Sequence, residues 1–292
     1  MELQDLIIFQ TVAKKGTVTA AAKELNYVQS NITARIHKLE KTLKTRLFNR
    51  HHRGMSLTPE GKKLLEYSEK ILTITREMKK VLQDSEEPTG KLEIGSVETV
   101  YKLPYILAAY NQKYANVELS LYTGVTKELQ DKVLNYQLDG AFITASEHHP
   151  DLTSYPVFEE ELVLISTKKV SSIEELMNEP VLCFSEGCGY RARLENWFFD
   201  QRLSPQKMME LGTLETILSS VMIGLGITFI PHSAVAHLEE KGHIYCYRLP
   251  EKYSKIRTIF IRRTDAFLTA TVERFIETIE ETKDQTIQPL PW

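Results

Sequence analysis

Thr58-Pro59-Glu60 places a helix-capping residue, a proline at the first helical position and an acid in the first turn, and an uninterrupted helical stripe follows. Leu64, Tyr67, Ile71, Ile74, Met78 and Val81 recur at spacings of 3, 4, 3, 4 and 3, the a/d seam of a coiled coil. A seam this narrow needs a partner helix, and a second copy of the chain supplies one. These six residues are therefore the candidate dimerisation face, with packing inside one chain as the alternative. Glu86-Glu87-Pro88-Thr89-Gly90 breaks the helix behind them. The 292 residues thus divide into a head (1–58), a linker helix with its hinge (59–88) and a large body (89–292). Such a division suits a prior of about 150 residues per domain.

Charge follows the same division. Residues 1–82 carry 16 Lys and Arg against 8 Asp and Glu, whereas the remainder carries 20 against 31. A basic head on an acidic body points to a polyanion partner for the head alone. The longest apolar run, Tyr105 to Tyr110, is six residues, far short of the ~20 of a membrane helix. MELQDL lacks a basic-then-apolar signal pattern, so a cytoplasmic protein with no membrane partner is expected. Cys183, Cys188 and Cys246 form no CxxC pair, which predicts neither a disulfide framework nor a metal site and suits a reducing compartment. No cofactor is expected.

Within the head, Leu6, Phe9 and Ala13 mark a first helix stopped by Gly16, and Thr17 or Thr19 caps a short Ala-rich second one. Ile32, Ile36, Leu39 and Leu43 line one face of a third helix. Its other face carries Gln29, Ser30, Asn31, Thr33, Arg35 and Lys38, side chains able to reach base edges or phosphates. Arg46 to Arg50 and Met55 to Thr58 flank His51-His52-Arg53-Gly54, a hairpin with a basic tip. The whole reads as a winged helix-turn-helix. Candidate DNA contacts are Thr19, Gln29, Ser30, Asn31, Thr33, Arg35, Lys38, Arg50 and Arg53.

Ala21-Ala22, Leu25, Gln29-Ser30, Ile32-Thr33, Ile36, Leu39-Glu40, Leu43, Leu47-Phe48, Arg50, Leu57-Thr58 and Gly61 stand in the order and spacing of one known family. In them the chain resembles the LysR-type transcriptional regulators of bacteria. Three positions depart from the family pattern: Val28 stands for a usual Ser, Lys44 for a common Gly, and Ala34 for a long polar residue. The resemblance implies a DNA operator, a small-molecule effector, RNA polymerase as a further partner, and a homodimer or dimer of dimers. It also implies that the body is a two-lobed domain similar to periplasmic binding proteins.

The residues of the body read the same way. Strand patterns at Lys91–Gly95, Val117–Leu121 and Gly140–Thr144 alternate with helical ones at Thr99–Tyr114 and Thr126–Tyr136, a β-α-β-α-β run expected to form a parallel sheet. A second set runs from Glu161–Ile165 to Ile227–Ile230, and a strand at Ile256–Ile261 and a helix at Ala266–Glu281 close the chain. Crossings near residues 165 and 262 are expected to separate lobe I (89–165 and 263–292) from lobe II (166–262).

Ligands of open α/β sheets sit beyond the strand carboxyl ends, where helix N-termini favour anions. The candidate effector residues are Ser96, Glu98, Thr99, Thr126, Thr144, Ser185, Cys188, Tyr190, Arg191 and Thr213, and the effector is expected to be anionic. Arg191 has a fork that suits a carboxylate, with a surface ion pair as its alternative. Cys188 lies where a helix N-terminus lowers a thiol pKa. The rival function is an α/β enzyme whose head only dimerises; against it, the chain has no GxSxG, GxxxxGK[ST], GxGxxG or HExxH motif.

Overall fold

The computed structural model describes residues 1–51, 54–82, 86–100, 102–145 and 148–283, with the backbone alone at Lys80. They form two compact units, Met1–Gln83 and Asp84–Trp292.

The first unit opens with three helices, α1 (Leu3–Lys15), α2 (Val18–Leu25) and α3 (Gln29–Leu43). Each stops at a residue with positive φ: Gly16 at 69°, Asn26 at 55° and Lys44 at 52°. Glycine and asparagine take this conformation readily, whereas a lysine is strained in it. Thr17 is the cap of α2, its side chain accepting from the Ala20 N–H at 3.2 Å. Strands β1 (Phe48–His51) and β2 (Gly54–Leu57) make the antiparallel wing, and α4 (Pro59–Leu82) follows. Thr58 caps α4 by accepting from Gly61 N–H at 3.0 Å while donating to Arg46 O at 2.8 Å. A Cβ on Gly61 would lie 2.2 Å from Leu47 O, so the wing and α4 approach this closely only through glycine. Ile8, Phe9, Val12, Ile32, Ile36, Leu39, Leu47 and Phe48 form the core of the unit.

The second unit begins as expected with β3 (Gly90–Ser96), α5 (Leu103–Lys113), β4 (Val117–Thr123), α6 (Thr126–Leu134) and β5 (Gly140–Thr144). β3 is parallel to β4 and β5. The long strand β6 (Leu152–Ser166) leads to β7 (Val181–Cys183), α7 (Gly189–Asp200), β8 (Met208–Glu210) and α8 (Leu214–Met222). Then come β9 (Thr228–Pro231), α9 (His232–Glu240), β10 (Tyr245–Arg248), the short α10 (Glu251–Ser254), β11 (Lys255–Arg263) and α11 (Ala270–Thr282).

The principal sheet has the order β10-β6-β11-β5-β3-β4, with β9 also on β6. It is mixed rather than parallel: β11 runs antiparallel to both β5 and β6. The cause is β6, which pairs with β11 from Leu152 to Glu161 and with β9 and β10 from Leu162 to Ser166. One strand thus belongs to both lobes. The chain crosses near residue 161 and returns through α10 between β10 and β11. This shifts the expected crossings at 165 and 262 and moves β11 into the first lobe, where Phe260 packs with Phe142 and Phe275. Trp197, Phe198 and Phe229 fill the second lobe.

Candidate nucleic-acid interface and ligand cleft

Helix α3 buries Ile32, Ile36 and Leu39 and leaves Gln29, Ser30, Asn31 and Lys38 exposed. A 3.6-residue repeat dictates this split. Gln29 Nε2 donates to Thr19 Oγ1, which joins the exposed ends of α2 and α3. Thr33 is half-buried, and Arg50 is exposed on β1 with its Nη2 3.2 Å from His37 Nε2. Arg53, at the expected wing tip, lies outside the described residues.

Arg35 requires a correction, because its guanidinium turns back onto α1 instead of outward. Nη1 lies 2.7 Å from Asp5 Oδ1 and 3.2 Å from Glu2 Oε2. Burial alone would raise the pKa of Asp5, but the Glu2 backbone N–H and Arg35 outweigh it and hold the carboxyl below its ordinary range. Arg35 is thus a strut between α1 and α3. Lys38 is held more loosely, 3.4 Å from Glu2 Oε1. Glu40, a residue not singled out for any role, accepts from the N–H groups of Leu47 and Phe48 at 2.9 and 3.4 Å and sets the wing against α3.

Along α4, Leu64 packs on the core of the head and is no part of a free seam. Tyr67, Ile74 and Met78 are 65%, 47% and 53% exposed, and Ile71 and Val81 are half-buried. Leu82, one turn past Met78, extends the exposed stripe.

Between the lobes of the second unit lies a cleft of about 330 Å³. Val125, Cys188 and Thr213 line it, and they are the N-cap residues of α6, α7 and α8. Three helix N-termini thus face one space, which favours negative charge there. Glu98 already meets part of that demand: its Oε2 accepts from Leu214 N–H at 3.0 Å, a carboxylate of the first lobe seated on a helix of the second. Glu128 faces the same cleft and accepts from the Tyr122 hydroxyl at 2.5 Å.

Of the expected effector residues, Glu98, Thr99, Ser185, Cys188 and Thr213 line the cleft. The other five do not. Ser96 is buried and donates to Val97 O at 2.9 Å. Thr144 backs the first turn of α7, where a Cβ on Gly189 would lie 2.6 Å from its methyl group. Tyr190 is buried in the second-lobe core and hydrogen-bonds Thr99. Thr126 is buried, and its Oγ1 has no hydrogen-bond partner among the described residues. Arg191 is already committed, 2.8 Å from Glu195, 2.7 Å from Glu210 and 3.3 Å from the Phe184 carbonyl. Nor is the Cys188 thiol acidified, because burial outweighs the helix N-terminus and pushes its pKa up. Val97, Thr123, Glu128 and Phe184 also line the cleft; their apolar or exposed positions carried no signal in the sequence.

Behind the cleft, at the lobe crossing, Glu160 is only 9% exposed. Its Oε1 accepts from Ser233 Oγ at 2.7 Å, while Oε2 has no hydrogen-bond partner among the described residues. Burial raises its pKa to about 7, against the opposing effects of Ser233 and Lys102.

Two family models match the chain. Residues 3–62 match "Bacterial regulatory helix-turn-helix protein, lysR family", and residues 85–284 match "LysR substrate binding domain". The chain belongs to the LysR family of transcriptional regulators. Among relatives of this LysR-type regulator, the HTH-type transcriptional regulator SoxR of an Arthrobacter species is 56% identical over 280 residues, 96% of this chain and 97% of that one. The HTH-type transcriptional regulator CzcR of Bacillus anthracis is 54% identical over 281 residues, 96% and 98% of the two chains. Among solved structures, full-length CbnR complexed with its target DNA superposes with a TM-score of 0.71 at 22% identity, covering 97% of this chain and all of that one. A full-length OxyR variant of Pseudomonas aeruginosa gives 0.66 at 23%, covering 97% and 94%. The LysR-type head is therefore a DNA-binding domain and the body an effector-binding domain, which removes the enzyme reading. Among the described residues no helix is long and apolar enough to cross a membrane.

Proposed function

We propose that this LysR-type regulator acts in the cytoplasm as a homodimer or dimer of dimers on a two-fold operator, and that a small anionic effector in the interlobe cleft tunes its binding. The exposed polar face of α3, rigidly backed by the α1–α3 strut, carries the DNA part of the reading. Gln29, Ser30, Asn31 and Thr33 are the base readers, with Thr19, Lys38, Arg50 and Arg53 on phosphates and Arg35 as the positioning residue. Exposed Tyr67, Ile74 and Met78 support pairing through α4. The convergence of three helix N-termini supports an anionic effector. Such a ligand competes with the Glu98 carboxylate for the end of α8, changes the lobe angle and so shifts the population between two assemblies that space the reading heads differently. RNA polymerase is the partner that converts this change into transcription.

Selection of bound duplexes from a random pool at moderate salt, followed by sequencing, tests the reading. The expected result is a two-fold motif with half-sites separated by whole helical turns. Binding without enrichment, lost at physiological salt, would reduce the head to a non-specific polyanion patch.

A further inference from the structure

Outside the ligand cleft, one cluster combines three different metal-binding side chains. His232 opens α9 and Glu239 follows seven residues later, just under two turns along the same side of the helix. Cys246 lies on β10, the edge strand that pairs with β6 at Ile165. His232 Nε2 is 2.9 Å from Glu239 Oε2, and the three donor atoms all lie within 4.8 Å of one another. The Cys246 thiol hydrogen-bonds the same carboxylate. None of the three residues lines the cleft.

We propose that His232, Glu239 and Cys246 form a divalent-cation site of the Zn2+ class that ties α9 to the sheet edge. The donor set argues for the metal: imidazole nitrogen and thiolate sulfur suit Zn2+ and its softer neighbours, whereas Mg2+ and Ca2+ take oxygen ligands. The geometry permits it. Zn–S and Zn–N bonds of about 2.3 and 2.0 Å at tetrahedral angles set neighbouring donors ~3.5 Å apart. The widest pair here therefore closes by ~1 Å, a movement that side-chain rotation supplies. Three protein ligands leave a fourth position for water, and the half-exposed His232 and Glu239 leave an entry path. Both α9 and β10 pack on β6, so a bound cation stiffens the second-lobe end of the strand that joins the lobes. Spacing in the sequence hides the site, since its residues come from a helix and a strand rather than from a compact motif.

Full-length protein without an affinity tag, stripped with a chelator and titrated with Co2+, tests the proposal. The expected result is a thiolate-to-cobalt charge-transfer band and tetrahedral visible bands saturating at one equivalent, displaced by Zn2+ and untouched by excess Mg2+. Cys246→Ser is expected to abolish the charge-transfer band, and both it and His232→Ala to weaken Zn2+ binding ~100-fold or more, given that even outer-shell changes cost 10–100-fold. Because His232 is exposed, its variant keeps the fold, which circular dichroism checks. Zn2+ should raise the melting temperature of the stripped wild type and not that of either variant. A band that persists in Cys246→Ser, equal Zn2+ affinity in His232→Ala, or no cobalt spectrum in the wild type would each overturn the site.

Discussion

Glu160→Gln isolates the cost of holding a carboxyl at the lobe crossing. The folded-state pKa of Glu160 is raised from 4.5 to about 7. The folded protein therefore binds that proton more tightly than the unfolded chain does. The stabilising contribution of the neutral acid is fully present below pH 4.5 and is lost as pH rises through 7. At about 1.4 kcal/mol per pKa unit, the shift corresponds to a penalty of roughly 3 kcal/mol above pH 7.5, as an upper limit. Glutamine keeps an oxygen to accept from Ser233 Oγ and never ionises, so it escapes the penalty. At ~2–4 °C per kcal/mol for a unit of this size, the variant should melt within about 2 °C of wild type at pH 4.5 and roughly 5–10 °C above it at pH 8. Thermal unfolding of the two proteins in parallel across that range measures the difference. A difference that stays constant with pH would refute the reasoning, as would a variant less stable than wild type at pH 8, which would mean that Glu160 works there as a paired carboxylate.

Removing the strut in Arg35→Ala leaves Asp5, 1% exposed, with one partner fewer; the head should unfold at lower urea than wild type, and affinity for operator and random DNA should fall together. Loss of operator binding alone, with unchanged stability, would restore Arg35 as a base reader. Lys44→Gly should stabilise the head by ~0.5–1 kcal/mol in urea unfolding, because it relieves a left-handed lysine at the end of α3. Val28 gives α3 no side-chain cap, so Val28→Ser should add about 1 kcal/mol in the same assay. The double variant Ile74→Glu, Met78→Glu puts charges on the exposed stripe of α4; sedimentation should show loss of the smaller oligomer and, with it, weaker binding to a two-fold site.

Most elements were legible because their periodicity is local. Helix α3 reads from Ile32, Ile36 and Leu39, and β5 from the unbroken run Gly140–Thr144. The first half of β6 was not, since Leu152–Glu161 mixes Pro156, Tyr155 and three successive glutamates, and only the pairing with β11 makes it a strand. Helix α9 carries no legible stripe for a similar reason: its one fully buried apolar residue is Val235. At the cleft, the strand-to-helix loops were visible as runs of small polar residues, but which hydroxyls face a ligand depends on how two lobes meet.

What residue order alone determined is the division into a basic reading head, a seam helix and an acidic sensing body, because charge and hydrophobic period are properties of neighbours along the chain. Tertiary structure alone decided the partners of the long charged side chains. Arg35 and Arg191 each have the reach to meet DNA or a ligand, yet Asp5 in the one case and Glu210 in the other, on different elements, lie nearer in the folded chain, whereas Glu195 is one helical turn from Arg191 and is given by helix spacing. A guanidinium goes to whichever carboxylate the fold brings within hydrogen-bond distance, and no spacing rule encodes that distance for a carboxylate on another element.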